Sequence, residues 1–226
     1  MSNCEQCIVK ELSSLKTLTK DELVTVASCK TSKIIKKGEF IFEEGDNLKG
    51  VFCVKNGVCK LTKKSTNGSE QTVRLVKKGE LLGQSSLLSD ELTNLSAVAI
   101  EEMQICFIPK NNILDLITEN SKFSLQVLKT AYGDLKETRN LLVNMAQKPA
   151  NERLAYTLLY LEENFGANAD KTLKLQLSRE EISSIIGTAT ESCIRLLSEF
   201  NKLGLIEIKG KKIAITDKNK LKKLAE

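Results

Sequence analysis

Only two prolines punctuate this chain, Pro109 and Pro149, and they divide it into three stretches of different texture. Proline lacks a backbone N–H and blocks a continuing helix or a central strand, so the proline-free stretch between them can run as one element. Before Pro109, from about residue 33, short β-rich runs (KIIKKGEFIFEEGD, GVFCVKNGVCKLTKK, EQTVRLVKKGELLG, LSAVAIEEMQICFIP) are separated by Gly38, Gly45, Gly50, Gly57, Gly68, Gly79 and Gly83. That density of glycine between short strands predicts an antiparallel sandwich or roll rather than βαβ units. Lys55-Asn56-Gly57 and Thr66-Asn67-Gly68 read as tight hairpin turns of type I′. A short helix with Leu15, Leu18, Leu23 and Val26 inward precedes the strands.

Between the prolines a helical register spans about 111–147. Leu128, Leu135 and Leu142 recur every seven residues, and Ala131, Thr138 and Met145 fall three after each. This is an a/d seam and predicts a dimerisation helix. The alternative is one helix lying on the roll, since Ala and Thr fill a d position poorly and Gly133 weakens the helix.

After Pro149 the segment LSREEISSIIG starts with a capping box, Ser178 with Glu181, carries Ile182, Ile185 and Ile186 on one face, and ends at Gly187. A second Thr-x-x-Glu relation, Thr188 with Glu191, opens a helix expected over 188–202 with Ile194, Leu197 and Phe200 on its apolar face. Two helices joined by so short a turn predict a helix-turn-helix whose second member enters the major groove. Its early exposed residues would be Thr190, Glu191, Ser192 and Arg195. Glutamate accepts from cytosine N4 and arginine clamps guanine, each good pair worth about 1–3 kcal/mol of discrimination. A Glu191–Arg195 surface pair, worth about 0.3–0.5 kcal/mol, is the competing reading. Beyond the helix, GLIEIKGKKIAI alternates around Lys209, Gly210, Lys211 and Lys212, a two-stranded wing with a basic tip suited to phosphates.

Composition supports a polyanion partner. The net charge is +5, and residues 195–226 carry nine Lys/Arg against four Asp/Glu, so the end of the chain holds the whole surplus. With no histidine, no nucleophile–base pair and no phosphate-cradling glycine motif, an enzyme is not expected. No apolar run reaches membrane-spanning length and no export signal opens the chain, so the expected location is the cytoplasm, with no membrane partner. Most of the seven cysteines are then expected to be reduced, and Cys53, Cys59 and Cys193 read as small core residues.

With this order of elements, KKGEFIFEEGD, VFCVKNGVCK and KKGELLG, followed by GTATESCIRLLSEFNKLGLIEIKGKKIAI, the chain resembles the Crp/Fnr family of bacterial transcription regulators over nearly its whole length. The resemblance implies an α+β chain: an N-terminal antiparallel, jelly-roll-like β-roll, a long central dimerisation helix, and a C-terminal winged helix-turn-helix. The divisions fall at 1–147 and 148–226. It implies a homodimer on a palindromic double-stranded DNA site, contact with RNA polymerase, and base reading by Glu191 and Arg195.

For the DNA-binding surface we therefore name Ser178, Thr188, Thr190, Glu191, Ser192, Arg195, Lys209, Lys211 and Lys212. Ile194 stands where oxygen-sensing members carry a serine reading a TTGAT-like half-site, so that half-site is not transferred. Gln84 stands where cyclic-AMP receptors place a ribose-binding Glu, and ELTNLSAVAI holds no Arg for the phosphate, so cyclic AMP is not the expected ligand. The oxygen-sensing branch carries an iron–sulfur cluster. Cys4, Cys7 and Cys106 match three of its ligand positions, but Ser13 occupies the fourth, leaving a cluster, a labile Cys4–Cys7 disulfide or idle thiols open. The effector is unassigned. The competing class is a nucleotide-binding or scaffolding β-roll whose winged domain makes protein contacts.

Overall fold

The computed structural model describes residues 14–66 and 68–225. Cys4, Cys7, Ser13 and Asn67, each named above, lie outside the described residues. The chain divides into two compact units, with the division after Glu137. It falls inside the long helix.

In the N-terminal unit a 3-10 turn at Ser14–Thr17 leads into α1 (Lys20–Cys29), which opens with a complete Thr19/Glu22 capping box. Leu15, Leu18, Leu23 and Val26 are buried, as their spacing predicts. Eight strands follow: β1 (Thr31–Ile35), β2 (Phe40–Phe42), β3 (Gly50–Asn56), β4 (Cys59–Lys64), β5 (Glu70–Val76), β6 (Leu81–Leu82), β7 (Ser96–Ala99) and β8 (Met103–Pro109). Among the described residues they form two four-stranded antiparallel sheets, ordered β1-β8-β3-β6 and β2-β7-β4-β5. Ile35, Phe42, Val54, Cys59, Ala97, Met103 and Ile105 fill one core between them, and a second core joins α1 to β3 and β8 through Leu23, Val51, Cys53, Cys106 and Phe123. Cys53 and Cys59 are core residues as expected.

The two expected hairpins differ in outcome. β4 and β5 do pair, Lys64 opposite Glu70, around a turn closed by Ser65 N–H to Ser69 carbonyl, 2.9 Å. Asn56-Gly57 is not a hairpin turn, because β3 and β4 belong to different sheets and the chain crosses between them there. Of this pair Gly57 alone has positive φ, +86°, and a Cβ on it would meet the Glu102 carbonyl oxygen at 2.7 Å. Glycine is therefore required by close approach as well as by φ.

Gly83 begins the short α2 (Gln84–Ser89). The register expected as one helix from 111 is two: α3 (Lys110–Glu119) and α4 (Ser121–Gln147). Asn120, with φ −112° and ψ 95°, breaks it. Its side-chain oxygen accepts from Phe123 N–H at 2.9 Å, while its amide donates to Glu22 at 3.0 Å, so Asn120 caps α4 and ties it to α1.

The C-terminal unit contains α5 (Ala150–Phe165), α6 (Arg179–Ile186), α7 (Thr190–Lys202), the hairpin β9 (Ile206–Lys209) and β10 (Lys212–Ile215), and α8 (Lys218–Ala225). Leu154, Leu158, Leu161, Ile182, Ile186, Cys193, Leu197 and Phe200 are buried at 2% exposure or less. Among the described residues no helix is long and apolar enough to cross a membrane.

Candidate nucleic-acid interface

α6 and α7 form the expected helix-turn-helix. Ser178 caps α6, its hydroxyl accepting from Glu181 N–H at 3.1 Å while Glu181 accepts from Ser178 N–H at 2.6 Å, a box worth about 1 kcal/mol. Ser178 is thus placed as a cap, half-buried. Gly187 turns the chain through the left-handed region, φ 63° and ψ 53°, donating its N–H to Ser183.

The second capping box does not form. α7 starts at Thr190 with Ala189 as its N-cap, and no side chain caps it. Thr188 donates its backbone N–H to Ser183 and so belongs to the turn. The helix begins two residues later than its sequence suggests because the αL turn needs those residues to close. Thr190 faces back, its hydroxyl 3.1 Å from that of Ser183. Glu191 and Arg195 are exposed, and Arg195 Nη2 donates to Ser192 Oγ at 3.2 Å rather than to Glu191. The competing surface pair is therefore not formed, and an Arg195–Ser192 contact aligns the guanidinium and leaves the Glu191 carboxylate outward.

The buried face of α7 is Cys193, Leu197 and Phe200, not Ile194, Leu197 and Phe200. Ile194 is 46% exposed between the polar residues of the outer face. Buried Cys193 has its thiol pushed up to about 11 by desolvation, against a smaller opposing effect of Arg179. It is an inert core thiol.

The wing stands as its alternation predicts, Lys209 opposite Lys212, with Gly210 (φ +62°) and Lys211 at the tip. Lys209, Lys211 and Lys212 are exposed. Lys209 reaches Glu207 at 3.0 Å and Lys212 lies 3.9 Å from Asp170, exposed pairs that hold a side chain only weakly. Arg179, not singled out in the sequence, donates from Nη2 to the Gly210 carbonyl at 3.2 Å and so fixes the wing tip against the start of α6. Its sequence signal is a cation in a helix's first turn, where the dipole disfavours it unless a partner holds it.

On α4, Leu128, Leu135 and Leu142 of the expected seam are exposed by 54%, 41% and 68%. Leu125 and Tyr132, also exposed, extend the stripe, and Ala131, exposed as well, borders a cavity of the roll beside Val127 and Asp134. Thr138 is exposed and Met145 half-buried. One face of this helix thus lies on the roll, and an adjacent apolar stripe is open.

That cavity, about 250 Å³, is lined by Phe42, Leu61, Leu82, Gln84, Arg74 and Asp134 among others. Arg74 bonds Glu80 at 3.0 Å and Asp134 at 2.5 Å. Burial opposes the Arg74 charge, but Glu80 and Asp134 outweigh it and raise its pKa. A cyclic phosphate would find this cation already neutralised, so the residues present do not fit a cyclic nucleotide. Gln84 Oε1 is buried without a partner.

Of the three cysteines matched to a cluster, only Cys106 lies within the described residues. It is buried on β8, opposite Cys53 and 3.5 Å from the Ser32 hydroxyl. Among the described residues no three His, Cys, Asp or Glu side chains gather as a metal site.

Comparison with known proteins agrees with this architecture. Residues 32–120 match the cyclic nucleotide-binding domain model, and residues 152–224 match the Crp-like helix-turn-helix domain. Electron transport regulator A of Shewanella oneidensis is 30% identical over 226 residues, covering 99% of this chain and 90% of that protein. The fumarate and nitrate reduction regulatory protein of Escherichia coli is 28% identical over 226 residues, with the same coverage. In fold the chain is similar to FixK2 of Bradyrhizobium japonicum, with a TM-score of 0.78, 21% identity, and coverage of 87% of this chain and 98% of that one. The roll, the long helix, the winged helix-turn-helix and relatives matched along nearly the full length place the chain in the Crp/Fnr family of DNA-binding transcription regulators.

Proposed function

We propose that the protein works as a homodimer in the cytoplasm, reading a palindromic duplex with one α7 per half-site and recruiting RNA polymerase under the control of a signal received at the β-roll. The observation that carries this reading is the outer face of α7, where Glu191, Ser192, Ile194 and Arg195 are presented together beside a wing of three exposed lysines. Glu191 and Arg195 supply an acceptor and a bidentate donor for base edges, and Ile194 packs on a thymine methyl. The α7 first-turn N–H groups, left uncapped by Ala189, join Lys209, Lys211 and Lys212 on phosphates. Arg179 holds the wing in place for this. The open stripe of α4, from Leu125 to Leu142, pairs the two copies and sets the half-site spacing.

The test is selection of duplexes from a random pool by the purified chain, followed by affinity measured against salt. An enriched palindrome bound by two chains, with affinity falling steeply as salt rises through counterion release, is expected. No enrichment, with the winged unit instead retaining protein partners, would transfer the function to the scaffolding class.

A further inference from the structure

We propose that Arg153 is a positioning residue for DNA reading, a guanidinium clamp that ties the peptide following α4 to the turn of the helix-turn-helix. The inference rests on the DNA-reading role proposed above. Arg153 sits in the first turn of α5 and is half-buried. Its three nitrogens meet three separate carbonyl oxygens: Nη1 donates to Lys148 at 2.6 Å, Nε to Ile186 at 2.7 Å and Nη2 to Gly187 at 3.3 Å. Lys148 is held from its other side as well, its ammonium donating to the Ala225 carbonyl at the end of α8.

The chemistry of the clamp is specific to arginine. The Ile186 and Gly187 carbonyls are groups a helix end leaves without intrahelical partners, and they gather partial negative charge. Gly187 N–H and Thr188 N–H both turn back to Ser183, so the turn's own donors leave these two carbonyls unserved. A planar fork with its donors spread over three nitrogens reaches all three acceptors, whereas one ammonium nitrogen cannot lie within bonding distance of each.

The segment held in this way is the one from which α7 departs at Thr190, three residues after Gly187. Since no side chain caps α7, the setting of its first two turns, where Glu191, Ser192 and Arg195 stand, depends on how the turn before it is held. Base reading needs those groups placed to fractions of an ångström, while phosphate attraction by the wing lysines does not. Arg153 therefore acts on sequence preference more than on overall duplex affinity.

The experiment compares wild type, R153Q and R153K on the duplex enriched by the wild-type chain and on a scrambled duplex of equal length, at one salt concentration, well below each variant's Tm. R153Q is expected to lose roughly tenfold or more of the specific-to-scrambled ratio, the worth of about one good base contact. Scrambled-duplex affinity and its salt slope stay near wild type, and R153K falls between. If R153Q does not fold, R153K decides, and a wild-type ratio from it overturns the proposal. An unchanged R153Q ratio, or equal losses on both duplexes, also overturns it. A wild-type chain that enriches no duplex removes the DNA reading and this inference together, whereas wild-type selection with an unchanged variant ratio removes this inference alone.

Discussion

In the β-roll, Arg74 is held between Glu80 and Asp134, with side-chain exposures of 22%, 27% and 31%. On α7 Arg195 leans on a serine hydroxyl and is exposed. The same side chain is used in opposite ways. In the roll its charge is spent inside the protein, where a partly buried cation must find carboxylates. On α7 it is kept in solvent at little cost, oriented but not neutralised, and remains available to an outside acceptor. Apolar groups follow the same division: Ile105 and Met103 are sealed between the sheets of the roll, whereas Leu128 and Leu135 stand open on α4 and Ile194 on α7. The surfaces left unsatisfied are therefore the ones that the proposed function assigns to a second copy and to DNA.

The largest test of that contrast is L135D in the open stripe. A carboxylate there should abolish dimers in analytical ultracentrifugation while thermal unfolding changes little, because Leu135 is 41% exposed; an unchanged oligomeric state would show that the stripe serves something else. Removing the spent charge comes next. R74M leaves Glu80 and Asp134 without their cation and should cost about 2–3 kcal/mol in urea unfolding, below the roughly 3–5 of a fully buried pair because each partner keeps some exposure. R195A, removing the available charge, should leave unfolding near wild type and relax base preference at one position per half-site by about 1–3 kcal/mol in repeated duplex selection. Equal weakening on all sequences would assign Arg195 to phosphate.

The smallest effect is a pH dependence in the roll. Burial holds the Glu80 carboxyl above its usual range, with Arg74 pulling the other way. A carboxyl raised on folding contributes stability that is complete below its unfolded pKa, about 4.3, and is lost as pH rises through the raised folded value. The stability of E80Q relative to wild type should therefore climb as pH rises from about 4.3. A flat difference across that window would mean that the ion pair fully offsets burial.

Much of this architecture was legible in local sequence. Glycine spacing marked the roll, Ser178, Glu181 and Gly187 bounded the first helix of the helix-turn-helix, and the alternation around Gly210 marked the wing, because capping and turn chemistry act over three or four residues. The same local reading misplaced what depends on distant partners. Thr188-x-x-Glu191 carries the letters of a capping box, but the αL turn before it draws Thr188 into its own hydrogen bonds. Asn120 looked like an ordinary helical residue until Glu22, far away in sequence, accepted from its amide. Ile194 fits an apolar helical period as well as Cys193 does, and which of the two turns inward is settled by how α7 rotates on its neighbours.

The sequence by itself therefore determined the order of elements, the helix-turn-helix, the basic wing and the row of leucines along α4, since each is written in periodicity and capping within a few residues. The tertiary structure alone decided that Arg195 rests on Ser192 instead of Glu191, that Arg74 is neutralised by Glu80 and Asp134, and that Arg153 gathers carbonyls from Lys148, Ile186 and Gly187. Rotamer choice separates the first from its alternative. Packing joins the partners of the other two from different elements, and a hydrogen bond between remote residues leaves no period in the chain to read.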